Sequence, residues 1–304
     1  FLNSNIFHLT TVVRSLRPFL TGLTTSVICC LSLHPAAAEE ISDYFAHALA
    51  AEGPVVMEEL DLHFRDMSWS PDGEWIAFGS PSSGNEDIWI RRAEGGERIQ
   101  VTTDEAADIY ATWAPDGTSL LWASDRGGHT NLWSKNPFTD EAPQQVTANT
   151  DSLLHVGIAV SSFSPDGMRI AFTSTKGGND NIWVRDLRSG VTEQLTSNTH
   201  GNYVPGSWSP DGRQIAFTSN RGETDGDLWI IDVDTKAERQ LTSADGLEWN
   251  PAWSPDGRFI LYCQGTGKGV ELYTVTVNNG HTKKIFGVPF FNAVMAKWVP
   301  GKPL

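Results

Sequence analysis

Five stretches of this chain are near-copies of one another: SWSPDGEWIAFGS at 68–80, TWAPDGTSLLWAS at 112–124, SFSPDGMRIAFTS at 162–174, SWSPDGRQIAFTS at 207–219 and AWSPDGRFILYCQ at 252–264. Their turn prolines, Pro71, Pro115, Pro165, Pro210 and Pro255, are spaced 44, 50, 45 and 45 residues apart, and a decayed copy, KWVPGK, places Pro300 another 45 further on. A unit of this size cannot bury its apolar face alone, so the copies must stack. The same repetition says what the turn is for. In SPDG the Pro presets φ at the second turn position and the Gly supplies the positive φ that ends the turn. Between them, Asp accepts backbone N–H bonds, a cap of about 1 kcal/mol. Asp72, Asp116, Asp166, Asp211 and Asp256 therefore read as hairpin fasteners. A catalytic group present in every copy would be scattered, whereas a reaction needs convergence at one point. Ala114 replaces Ser in the second copy with the rest of the motif intact, which argues against an obligatory hydroxyl.

The content of one unit decides how the copies stack. The fourth holds GSWSP, RQIAFTS, GDLWIIDV and ERQLTS, four short strand signals and no segment long enough for an amphipathic helix. Four strands at a period of about 45 is the pattern of a propeller blade. Trp69, Trp113, Phe163, Trp208 and Trp253 stand just before the turn, and Trp89, Trp133, Trp183, Trp229 and Tyr273 on the third strand. Large flat side chains at fixed places suit blades packed face to face, and they read as core before they read as a ligand stack. The expected fold is all-β, a β-propeller of four-stranded blades, with five clear repeats plus a partial sixth. Six blades are preferred, the last built from both chain ends so that no sheet edge stays free, and five is the alternative.

On WSPDG, IAF.S, DLWI.D and RQLT, repeated from about Ser68 to Phe286, the chain resembles the Pro-Asp-Gly-type, WD-like propeller repeats of the TolB family and of the prolyl oligopeptidase propellers. The resemblance implies an exported, non-enzymatic propeller that binds a protein or polymer partner through its loop face. The alternative it implies is a gating or substrate-filtering propeller for a peptidase domain outside this chain. The TolB family carries an α/β domain before its propeller, whereas here only about 30 residues separate Ala38, the expected cleavage site, from the first repeat.

The chain starts at Phe1 rather than Met, which reads as a fragment or an incomplete reading frame. Arg14 and Arg17, an apolar run from Phe19 to Leu33 and Ala36–Ala38 read as a secretory signal peptide over 1–38. Residues 39–60 then form a linker, with a helix over ISDYFAHALAA and a possible closing strand in PVVMEEL, and 61–304 the propeller. Cleavage after Ala38 removes two cations and no anions, so the net charge moves from −15 to −17. That balance disfavours nucleic acid and anionic membrane surfaces. Cys29 and Cys30 leave with the signal, Cys263 remains as a small core residue, and no internal disulfide is expected. No membrane span is expected after cleavage, and the location is periplasmic or secreted.

Chemistry is sparse elsewhere. No G-x-S-x-G elbow, H-E-x-x-H or paired C-x-x-C occurs, so no catalytic residue, metal site or cofactor is expected. The acids Asp225, Asp227, Asp232 and Asp234 lack the spacing of a calcium loop. Asp87, Asn131 and Asn181 stand at the place of Asp227 in other units, which suggests a turn role. What varies is the connection from one blade's fourth strand to the next blade's first, such as ANTDSLLHVGIAVSS or SADGLEWNPA. Such loops gather at the channel mouth and carry binding residues. They hold Asp108, Tyr110, His155, His200, Tyr203, Glu248, Trp249 and Asn250, a set suited to a protein, peptide or polysaccharide of the cell envelope. An enzyme acting on polysaccharide through His155 and His200 is a third reading.

Overall fold

Within each of the five full repeats, successive strand signals pair with one another along the chain. The computed structural model describes residues 27–31, 67–148, 161–176, 180–197, 203–221, 226–266, 269–288 and 294–298. Five four-stranded antiparallel sheets result, each with its strands in chain order. Blade one is Met67–Trp69, Trp75–Ser80, Asp87–Arg92 and Ile99–Gln100, and blade two is Asp108–Trp113, Leu120–Ser124, Asn131–Lys135 and Gln144–Gln145. Blade three is Ser161–Phe163, Arg169–Ser174, Asn181–Asp186 and Thr192–Gln194. Blade four is Tyr203–Trp208, Gln214–Ser219, Asp227–Asp232 and Glu238–Gln240, and blade five is Glu248–Trp253, Phe259–Thr266, Gly269–Thr276 and Thr282–Val288. First strands of consecutive blades touch, the arrangement that rings a propeller channel. No helix occurs among the described residues, and none there is long and apolar enough to cross a membrane.

The blade count follows the five-bladed alternative rather than the six-bladed preference. The sixth copy contributes one described strand, Val294–Trp298, which packs on the first and second strands of blade five. It pairs antiparallel with Val27–Leu31, inside the apolar run read as a signal, to give a two-stranded sheet. The fastener of this copy has decayed: WVPGK has Val299 where the other copies have Ser or Ala and Gly301 where they have Asp. The expected helix at 41–51 and closing strand at 54–60 lie outside the described residues.

Four of the core clusters bridge two blades, and the one around Met67, Ile76 and Phe78 lies within blade one. Ala77, Ile88 and Ile90 of blade one pack with Ala111, Trp113, Leu120 and Trp122 of blade two, and the pattern recurs between blades three and four and four and five. The largest wholly buried side chains include Phe78, Trp122, Phe172, Phe217 and Tyr262, one per second strand. Each stands opposite the third-strand aromatic of its own blade, Trp89, Trp133, Trp183, Trp229 or Tyr273. Such cross-strand aromatic pairs add about 0.5–1.5 kcal/mol each beyond the area they bury. The aromatic repeats are thus core, as their regular placement suggests. Serines before the inner aromatics stitch blades together: Ser68 Oγ accepts from Trp113 N at 3.1 Å and Ser207 Oγ from Trp253 N at 2.7 Å.

The fasteners work as the turn chemistry requires. Asp166 Oδ1 accepts from Met168 N at 3.0 Å and from the Ser164 hydroxyl, whose oxygen in turn accepts from Arg169 N at 2.9 Å. Hydroxyls at Ser70, Ser164 and Ser209 hold the carboxyls of Asp72, Asp166 and Asp211 below the usual range. In blade two, where Ala114 replaces Ser, Thr118 supplies the hydroxyl to Asp116 at 2.9 Å. The turn glycines have φ near +70°, and a Cβ added at Gly212 would lie 3.6 Å from Pro165 of the preceding turn. Gly117, Gly167 and Gly257 face Pro71, Pro115 and Pro210 in the same way, so successive turns touch. Asp166→Ala is expected to cost about 1 kcal/mol, read as a lower urea midpoint with unchanged m-value. A midpoint equal to wild type would refute the fastener role.

Candidate functional site

Each first strand begins at the blade-to-blade connection and ends at the Pro-Asp-Gly turn. One end of the ring therefore carries these connections together with the turns between second and third strands. At that end Asn85 Nδ2 of a second-to-third turn donates to Asp104 O and Ala106 O of the neighbouring connection, both at 2.8 Å.

Asp108, Tyr203 and Glu248 occupy one structural position in three blades. Each opens a first strand, five residues before the inner tryptophan, opposite Ser124, Ser219 or Gln264. Tyr110 and Asn250 likewise share a place. Each sits in a β-bulge with left-handed backbone, φ 61° and 54°, and bulges with such backbone re-aim side chains near sites. The side chains then diverge. Tyr110 is buried with Leu121, Phe172 and Trp183 between blades two and three, whereas Trp249 and Asn250 are half-buried. Trp249 lies against Gly265, where an added Cβ would come within 3.2 Å of its ring. His155 and His200 lie outside the described residues, and for Tyr203 only the strand position is described.

The two acids, both wholly buried, are held differently. Asp108 meets Arg126, from the turn after the second strand of blade two: Nη2 donates to Asp108 Oδ2 at 2.6 Å and reaches Asp104 at 2.6 Å. Arg126 Nε donates to Ser124 Oγ at 2.8 Å, and the guanidinium lies 4.8 Å from the Trp133 ring. Burial raises the Asp108 carboxyl above its ordinary value, and Ser124, Arg126 and Thr102 oppose that rise.

Glu248 makes no ion pair among the described residues. Its Oε2 accepts from the Thr242 hydroxyl and from Leu228 N at 3.2 Å, and its Oε1 accepts no hydrogen bond among the described residues. Burial, with Asp227 adding repulsion, pushes this carboxyl up to about 7 against the pull of Thr242, Leu228 N and the facing Tyr262. The Tyr262 phenol is raised in turn, chiefly by burial.

Sequence reasoning missed the cations of this end. Arg126, Lys176 and Arg221 lie over Trp133, Trp183 and Trp229 at 4.8, 5.5 and 3.4 Å. The signal was present as Ser-x-(Arg/Lys)-Gly after the second strand of blades two, three and four. The recurring Asp or Asn that opens the third strand is a clamp for the fourth: Thr102, Thr147 and Thr196 donate to Asp87, Asn131 and Asn181 at 2.9–3.0 Å.

Comparison with known proteins agrees with this geometry. A family model described as the TolB beta propeller domain matches residues 48–161 and 162–300. Among solved structures, TolB from Acinetobacter baumannii is 23% identical with a TM-score of 0.65, over 78% of this chain and 57% of that one. This chain therefore spans little more than half of that protein. A putative TolB from Agrobacterium tumefaciens is 22% identical with a TM-score of 0.66, over 79% of this chain and 87% of that one. An oligogalacturonate lyase solved with manganese shares the fold at 15% identity and a TM-score of 0.56, over 75% of this chain and 66% of that one. No curated protein matches the chain.

Proposed function

Because this chain belongs to the TolB β-propeller domain family, we propose that it is an exported, non-enzymatic propeller that binds a protein or polymer of the cell envelope at the end carrying its blade-to-blade connections. One observation supports the reading above others: a single structural position, the start of the inner strand, carries Asp108, Tyr203 and Glu248 in three blades. Two of the three are wholly buried acids, so the position anchors the rim while the residues beside it, which differ from blade to blade, supply the recognition surface. Leu247, 48% exposed, and the half-buried Trp249 add apolar area beside it. The opposite end repeats the same turn five times and offers little to distinguish one partner from another. Export rests on the Arg14, Arg17, apolar and Ala36–Ala38 pattern. Cleavage after Ala38 would release Val27–Leu31 and leave Val294–Trp298 to pair elsewhere.

Capture from an envelope extract tests the binding reading. The double variant Tyr203→Ala, Trp249→Ala is expected to recover its partner about tenfold less well than wild type. A matched pair at the opposite end, Phe138→Ala, Met168→Ala, should bind as wild type does. Equal capture by wild type and the first variant would overturn the reading.

A further inference from the structure

Internal repetition lets one corner of the ring be compared with another. In blade two, Asp108 stands opposite Ser124, Trp122 opposite Trp133, and Arg126 follows Ser124 by two residues. In blade five, Glu248 stands opposite Gln264, Tyr262 opposite Tyr273, and Thr266 follows Gln264 by two. The corners share a buried acid and an aromatic pair, but Arg126 stands in the turn after its strand, whereas Thr266 is the last residue of the second strand of blade five, paired with Gly269. Blade five has no cation at that place in the sequence. Each acid has one carboxylate oxygen without a hydrogen bond among the described residues; the difference is that Asp108 is neutralised by Arg126 at 2.6 Å, while Glu248 makes no ion pair among the described residues.

We propose that blade five takes a guanidinium from a binding partner, an arginine side chain seated over Tyr273 and against Glu248 as Arg126 sits over Trp133 and against Asp108. The inference rests on the reading that partners bind at this end of the ring, and it names the chemistry of the contact. Three further features favour it. Asp227 supplies a second buried carboxylate beside Glu248, so the corner favours a cation over a neutral donor. Tyr262 and Tyr273 stack at 5.6 Å with 21° between their planes, giving a guanidinium a flat surface to lie on. Leu247, 48% exposed, and the half-buried Trp249 flank Glu248, so the strand start that carries it lies beside exposed apolar area although the carboxylate itself is covered. Arginine fits better than lysine because its planar fork spans a carboxylate oxygen and a neighbouring acceptor at once, as Arg126 does with Asp108 and Ser124.

The probe is N-acetyl-arginine amide added to the full chain, with the neutral isostere N-acetyl-citrulline amide, magnesium chloride and calcium chloride as comparisons, read by thermal shift and calorimetry. The arginine derivative is expected to bind about tenfold or more tightly than the citrulline one. That preference should vanish in Glu248→Gln, which keeps the shape of the side chain. It should vanish also in Thr266→Arg, which supplies the guanidinium from within the chain and should raise the unfolding midpoint without ligand. Equal binding of the two derivatives overturns the inference, as does an arginine preference that survives in Glu248→Gln. Stabilisation by either metal salt that is lost in the same two variants overturns it in favour of a metal site. Absence of arginine preference, with capture still lost in Tyr203→Ala, Trp249→Ala, removes this inference alone. Capture that survives the double variant removes the binding reading, whatever the probe does.

Discussion

Arg126→Ala is expected to lower the unfolding free energy by about 3–5 kcal/mol, because it leaves a carboxylate buried without its counter-charge. Asp108 is 0% exposed and the Arg126 side chain 18%, so water replaces little of what is lost. Four contacts go together: Asp108, Asp104, Ser124 and the Trp133 face. The effect far exceeds that of an exposed pair such as Arg92–Glu74, worth at most about 1 kcal/mol. Adding Asp108→Asn to Arg126→Ala should recover most of the loss, since the buried group is then neutral. Urea denaturation of the two single variants and the double variant checks both statements. A single-variant loss under about 1 kcal/mol, or no recovery in the double, would show that the pair is not what holds this corner.

Stability should also fall as pH rises from about 4.5 to about 7. Over that range the folded protein keeps a proton on Glu248 that the unfolded chain has released, so raising pH favours unfolding, and the decline levels off above about 7. The span corresponds to about 3 kcal/mol for this one group. Asp108, also raised by burial, adds a slope of the same sign. The fasteners act oppositely at lower pH: Asp72, Asp166 and Asp211 have lowered carboxyls. Their contribution is complete above the usual carboxylate value and is lost as pH falls through the folded one. Together these place the stability maximum on the mildly acid side. Denaturant midpoints measured across pH 4–8 should show the decline in wild type and a flatter profile in Glu248→Gln. Parallel profiles for the two would rule Glu248 out as the source.

The fold was legible because its signals are local. Four residues build each fastener, and each strand pairs with the next along the chain, so period and composition reach the blade without any long-range contact. The binding end was legible only in part. Asp108, Tyr110, Glu248, Trp249 and Asn250 read as loop residues, whereas they lie on inner strands. The bulges at Tyr110 and Asn250 break the alternation by which a strand is recognised in sequence. Arg126 was missed for a related reason: it lies 18 residues after Asp108, and only pairing of the first two strands of blade two brings them together. The second-strand aromatics were visible in the repeats, but their pairing with the third-strand tryptophans depends on register.

The serine stitches and shared clusters mean that a blade's apolar faces are completed by its neighbours. An excised blade would expose both of its sides, so the smallest exchangeable piece of this chain is set by joints. Those joints lie in the blade-to-blade connections, where length already varies. A gene duplication whose breakpoints fall there adds a whole unit that meets familiar partners on each flank. It enlarges the circumference of the ring and leaves every contact within a blade as it was.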